Sequence, residues 1–97
     1  MELFDTTMSS LEKGILRSNK TQEVIAQNIA NANTPGYVPQ RFDEVLNKAV
    51  EKSDKKNVVL EEELADMSKN STKYSAYVKL MTAKLAMLRT IVSQGRK

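Results

Sequence analysis

The chain has 97 residues, a net charge of +3, and neither cysteine nor histidine. That length holds one domain at most and buries a small share of its surface, so the chain is expected to draw stability from neighbours. The missing residue types exclude disulfides, thiol nucleophiles, Cys/His zinc sites and the commonest general base. The acids sit in clusters such as Glu61, Glu62 and Glu63 with no acid/base spacing, so no enzyme activity, catalytic residue, cofactor or metal is expected.

The first element is a long helix opening near residue 6, with Asp5 or Thr6 as N-cap and Phe4 packing back as a staple. Met8, Leu11, Ile15, Ser18, Gln22, Ile25, Ile29 and Ala32 follow at alternating three- and four-residue steps, the seam spacing of a coiled coil. The N-terminus has no positive region followed by an apolar run, so no cleavable secretory signal is expected.

Pro35 ends this helix by excluding Thr34 from the α region, and Gly36 supplies a positive φ, so Thr34-Pro35-Gly36-Tyr37 reads as a type II turn. Asn28, Asn31 and Asn33 crowd the helix end. One reading is a polar cap on free carbonyls; the other is that Asn28 and Asn31, three apart on one face, bond to a neighbouring subunit. Pro39 keeps residues 37–40 extended. Phe42, Val45, Leu46, Ala49 and Val50 have the spacing of a short amphipathic helix, and residues 51–57 read as a solvated linker.

The second long helix carries Leu60, Leu64, Met67, Ser71, Tyr74, Val78, Met81, Leu85, Leu88 and Val92 at the same alternation. A helix over residues 60–93 runs on the order of 50 Å, too long for a globule of this mass. Acids at Glu61–Asp66 and bases at Lys84, Arg89 and Arg96 suit its dipole. A second row, Tyr77, Leu80, Met87 and Ile91, lies beside the first, interrupted by Lys84. One partner helix covers one stripe, so this second row is expected to meet other subunits. Lys79, Lys84 and Arg89 interrupt the apolar run, so no transmembrane span is expected. Nor do Lys73, Lys79, Lys84, Arg89, Arg96 and Lys97 gather on one face, so no nucleic-acid surface is expected.

The predicted fold is all-α: two long heptad-patterned helices in an antiparallel coiled-coil-like hairpin, joined by a Pro-Gly turn and a short connector. Its parts are an N-terminal helix and turn over 1–37, a connector over 38–57 and a C-terminal helix over 58–97. The expected packing set is Met8, Leu11, Ile15, Ile25, Ile29, Leu60, Leu64, Met67, Tyr74, Val78, Met81, Leu85, Leu88 and Val92. On pattern alone, a small secreted helical hairpin and a coiled-coil DNA-binding regulator are rivals; the absence of tryptophan and of a basic stripe speaks against each.

The string Asn28-Ile29-Ala30-Asn31-Ala32-Asn33-Thr34-Pro35-Gly36-Tyr37 resembles the N-terminal signature of the flagellar rod and hook proteins. Asn57-Val58, Leu60, Glu63, Ala65, Asn70, Tyr74, Lys84-Leu85 and Leu88 resemble the end of that family's proximal rod subunits, and the Ala-Gln-Arg-Ala-Tyr ending of sister proteins is absent. The region after the turn is short for the family, and Val59 stands where an Asp is typical. The resemblance implies a structural subunit of the basal-body rod, exported by the flagellar type III route without cleavage. It also implies that copies polymerise at the rod base beside other rod proteins, the export apparatus and the basal-body ring, and bind no small-molecule substrate. The signature Asn28, Ile29, Asn31, Asn33, Thr34, Pro35, Gly36 and Tyr37 would serve assembly.

Overall fold

The computed structural model describes residues 6–95. Helix α1 spans Thr6–Ala30, strands β1 and β2 span Gln40–Asp43 and Lys48–Glu51, and helix α2 spans Leu60–Gln94. The expected Phe4 staple and Asp5 cap, and the terminal Arg96 and Lys97, lie outside the described residues. The molecule measures 66 × 24 × 17 Å with a radius of gyration of 18.1 Å, against about 13 Å for a compact chain of this length. A rod of two antiparallel helices, with a small sheet beside α1, accounts for the elongation.

The helices meet along a ladder with a period of seven. Gly14 lies under the ring of Tyr77; Asn70 donates to Ser18 O at 2.8 Å and to Gln22 Oε1 at 3.0 Å; Asn28 donates to Glu63 Oε1 at 3.0 Å. Residue numbers fall by about seven per step on α2 as they rise by about seven on α1, which is the signature of an antiparallel coiled-coil register. Around these rungs Met8, Leu11, Val24, Ile25 and Leu88 form the buried apolar core.

This seam differs from the row that apolar spacing predicts for α2. Leu88 is buried and Met67 and Met81 are half-buried, but Leu60, Leu64, Tyr74, Val78, Leu85 and Val92 are 37–50% exposed. Tyr77, expected to face another subunit, is instead half-buried against α1. The cause lies on α1, whose inward face presents a glycine, where a ring fits closely, and a buried amide that needs a polar partner. Those two residues draw Tyr77 and Glu63 inward and rotate α2. At 100° per residue the seam then runs between two apolar rows, with Leu64, Val78 and Leu85 on one flank and Leu80, Met87 and Ile91 on the other.

At the end of α1, Tyr37 N donates to Thr34 O at 3.2 Å and Gly36 has φ +80°, the closing bond and positive φ of a type II turn. The amphipathic helix expected within 38–57 is a β-hairpin instead. Gln40 pairs with Glu51, Arg41 with Val50, Phe42 with Ala49 and Asp43 with Lys48. Its turn decides the matter: Asp43 Oδ1 accepts from Leu46 N at 3.0 Å, and Asn47 has φ +54°, a conformation that asparagine tolerates and that ends a helix. Arg17 reaches Glu44 at 3.5 Å, laying the hairpin along α1.

At the start of α2, Val59 makes no side-chain cap, and Glu61, Glu62 and Glu63 occupy the first turn, where their negative charge complements the positive end of the helix dipole.

A Cβ at Gly14 would stand 2.8 Å from the Tyr77 ring. Gly14→Ala improves helix propensity by about 1 kcal/mol, yet overpacking costs typically 1–3 kcal/mol. The variant is expected to melt at lower temperature than the parent in circular dichroism at matched concentration, and Tyr77→Leu in the same chain to recover part of the loss. Equal or higher stability for Gly14→Ala alone would show that the contact is loose.

Candidate structural site at the helix, turn and hairpin junction

The strongest concentration of buried polar chemistry lies where α1 ends. Asn28 is fully buried in the last turn of the helix, two residues before its end, and Pro35-Gly36 reverses the chain so that residues 37–40 pass beside it. Its amide uses every hydrogen-bonding position it has. Nδ2 donates to Gln40 O at 2.8 Å and to Glu63 Oε1 at 3.0 Å, while Oδ1 accepts from Tyr37 OH at 2.8 Å and from Gln40 N at 2.9 Å. One side chain thus fastens α1 to the turn, to β1 and to α2.

Glu63 is the second member, 1% exposed although it follows two exposed glutamates. Its Oε1 also accepts from Lys52 Nζ at 2.8 Å, whereas Oε2 is buried without a partner among the described residues. Lys52 leaves the end of β2, where its backbone N–H donates to the buried Pro39 O at 2.8 Å and closes the hairpin mouth; its ammonium lies 3.9 Å from Asp66. A buried carboxylate is tolerable only with charge-assisted bonds of this kind. Burial holds the Tyr37 hydroxyl above its ordinary value of 10.0, and the Glu63 carboxylate adds to the rise.

Asn28 and Tyr37 therefore join one intrachain network. An asparagine with four internal bonds has none left for a neighbour, so of the two readings open for Asn28 these bonds favour the intrachain one. Asn31 turns back on its own helix, donating to Gln27 O at 2.9 Å and accepting from the Thr34 hydroxyl at 3.1 Å. Asn33, Thr34, Pro35 and Gly36 are exposed, and Ile29 is half-buried. Lys52 and Gln40 were not singled out by the sequence; Glu63 and Asn70 carried the family resemblance but no role. The available signal was their spacing: Glu63, Asn70 and Tyr77 are seven apart, as are Gly14, Thr21 and Asn28.

The network joins backbone segments, and Gln40, Lys52 and Glu63 also line an open pocket with Asp66 and Lys69. Among the described residues no three carboxylates gather as a metal site, and no helix is long and apolar enough to cross a membrane.

The profile of the flagella basal body rod proteins matches residues 17–37, the second half of α1 and its turn, where Asn28 and Tyr37 lie. The chain is also similar to the flagellar basal body rod protein FlgB of Bacillus subtilis (strain 168), 26% identical over 129 residues. That similarity takes in 99% of this chain and all of the relative. An alignment longer than the 97 residues here leaves at least 32 positions of the relative without a counterpart.

Asn28→Ala strands Glu63, Gln40 and Tyr37 at once and is expected to cost about 2–4 kcal/mol, read by urea unfolding. Lys52→Met leaves a buried carboxylate uncompensated, at about 3 kcal/mol; adding Glu63→Gln should recover part of that. If the double variant is no more stable than Lys52→Met, the pair is not coupled. Because the Tyr37 value is raised on folding, its contribution is complete below pH 10.0 and lost as pH climbs through the folded value. Alkaline unfolding should therefore be steeper in the parent than in Tyr37→Phe.

Proposed function

We propose, from the likeness of this chain to the flagellar basal body rod proteins, that it is a subunit of the proximal rod and polymerises by packing its two helices against those of neighbouring copies. A structural role in the basal-body rod follows from the family; the proximal position and the mode of packing are our reading. The observation that carries it is the pair of exposed apolar rows flanking the α1 seam on α2. Leu80, Met87 and Ile91 are 43–56% exposed, and on the opposite flank Val78, Leu85 and Val92 are 37–44% exposed.

A lone two-helix protein gains nothing from such rows and risks aggregation. In a tube, each α2 would lie between its own α1 and helices of adjacent subunits, so three sides need apolar residues. Full burial of a Leu, Ile or Met side chain is worth about 1.5–3 kcal/mol. Three such residues per flank supply a stabilisation comparable to that of a whole small domain.

In this reading, 1–37 and 58–97 form the rod core, while the hairpin within 38–57, lying along α1, is a short arm that meets adjoining rod subunits. The positions of the relative that lack a counterpart would belong to that arm. Export would follow the flagellar type III route without cleavage, and contacts at the rod base would involve the export apparatus and basal-body ring. The rod's function here is mechanical, with no chemical step.

Mass spectrometry of purified basal bodies is expected to find the chain at several copies per particle with its N-terminus intact. Leu80→Asp, Met87→Asp and Ile91→Asp together should lower incorporation about tenfold or more, the order set by losing even one buried apolar side chain. The helical content of the isolated protein should be unchanged. Wild-type incorporation of the triple variant would overturn the assignment of that flank.

A further inference from the structure

A second apolar surface lies away from the two flanks of α2. Between α1 and the hairpin turn runs a groove of ≈ 500 Å³. It is lined by the apolar side chains of Leu16, Phe42 and Val45 and by Lys13 and Lys20 beside the Arg17–Glu44 pair. Leu16 is 59% exposed and Val45 is 93% exposed. Arg17 and Glu44 offset each other, so the rim is left with two lysines that have no partner among the described residues. The groove is therefore apolar below and positive at its edge.

Charge chooses what fits there. The C-terminal half of α2 is apolar but carries Lys79, Lys84 and Arg89 and no acid, so a basic rim repels it. The first two turns of α2 are the opposite case. Leu60 and Leu64 form an i, i+4 apolar pair, 48% and 50% exposed, which the fold of a single chain leaves uncovered because Glu63 turns inward in their place. Glu61 and Glu62 are exposed beside them in the first turn, Glu62 in an exposed ion pair with Lys55 at 3.0 Å that a second cation can share or replace. An i, i+4 pair of leucines flanked by acids is the form in which a helix enters an apolar groove with a basic edge.

We propose that the groove formed by Leu16, Phe42 and Val45 receives the Leu60/Leu64 end of α2 from a second copy of this chain, with Lys13 and Lys20 facing Glu61 and Glu62 of that copy. This deepens the polymerisation reading and rests on it. Donor and acceptor are different patches of one molecule, so the contact is head-to-tail. Unless its rotation closes a ring, it propagates as an open helical array. It is also separate from the Leu80, Met87 and Ile91 flank.

The absence of cysteine allows a direct test. Full-length Val45→Cys chains with one tag are mixed with Leu64→Cys chains carrying another, under mild oxidation, while sedimentation velocity follows association of the untagged protein. The expected result is a mixed disulfide between the two pools, well above that from Val45→Cys with Leu85→Cys. Lys13→Glu with Lys20→Glu on the groove chain should lower the yield about 3- to 10-fold, the range for two surface ion pairs. Glu61→Lys with Glu62→Lys on the partner should restore it. Association without the Val45–Leu64 disulfide overturns this contact and leaves polymerisation through the α2 flanks standing. A protein that stays monomeric at every concentration overturns both. A disulfide that charge reversal leaves unchanged overturns the role of the lysine rim.

Discussion

The buried amide of Asn28 is the constraint on which the remaining structure depends. The apolar core is thin: Met8, Leu11, Val24, Ile25 and Leu88 are its buried members among the described residues. A seam of that kind fills space but reads register poorly, since sliding one helix by a heptad still sets apolar against apolar. Asn28 removes that freedom. In the native register it meets Glu63; one heptad away it would face Asn70 or the connector, and the Glu63 carboxylate would lose a donor in a buried setting. A polar residue in a helical seam specifies one alignment at a cost in raw stability, and here Lys52 offsets much of that cost. The amide also fixes Gln40 and Tyr37, so the register of the helices and the placement of the hairpin are set by one residue.

Gly14 and Asn70 act in the same way farther along the seam. Gly14 admits the Tyr77 ring at a separation that any side chain would prevent, and Asn70 bonds to the α1 backbone at Ser18. The three rungs make an interface that is specific and only modestly hydrophobic. That economy leaves most of the apolar residues of α2 outside the pair. A chain built to fold alone would turn Leu60, Leu64, Val78 and Leu85 inward; this one keeps them 37–50% exposed. The register is thus fixed within the subunit, while much of the available burial energy is left for contacts beyond it.

Much of this was legible in the sequence, and the failures have definite causes. The two helices, their limits and the Pro-Gly turn follow from heptad spacing and from the backbone restrictions of Pro35 and Gly36, which are local. The hairpin was not legible, because Phe42, Val45, Leu46, Ala49 and Val50 fit a helical spacing while the deciding features were Asp43 and Asn47 at the turn. Apolar periodicity also placed the α2 seam one stripe away from where it runs. That method counts apolar residues, whereas α2 is aligned by a glutamate and an asparagine that become acceptable inside only once Lys52, Gln22 and the α1 backbone are brought to them. The assembly motif around Asn28 was recognised by pattern, but its geometry shows the most deeply buried of its asparagines serving the fold.

One junction thereby links the two helices to the hairpin. Lys52 holds the end of the hairpin to α2 through Glu63, and Asn28 holds its beginning to α1, so the arm is anchored at both ends to the same carboxylate. The turn at Glu44–Asn47 is consequently carried to a set distance along α1, where Arg17 meets Glu44. The groove beneath that turn lies between α1 and the hairpin so anchored, and with Glu63 turned inward Leu60 and Leu64 face outward. A chain in which this junction has not formed therefore lacks the arm, the groove and the α2 end in their assembled relation, and still has helices with apolar rows. The junction thus ties the placement of the hairpin, and with it the exposed apolar surfaces beside it, to a completed fold.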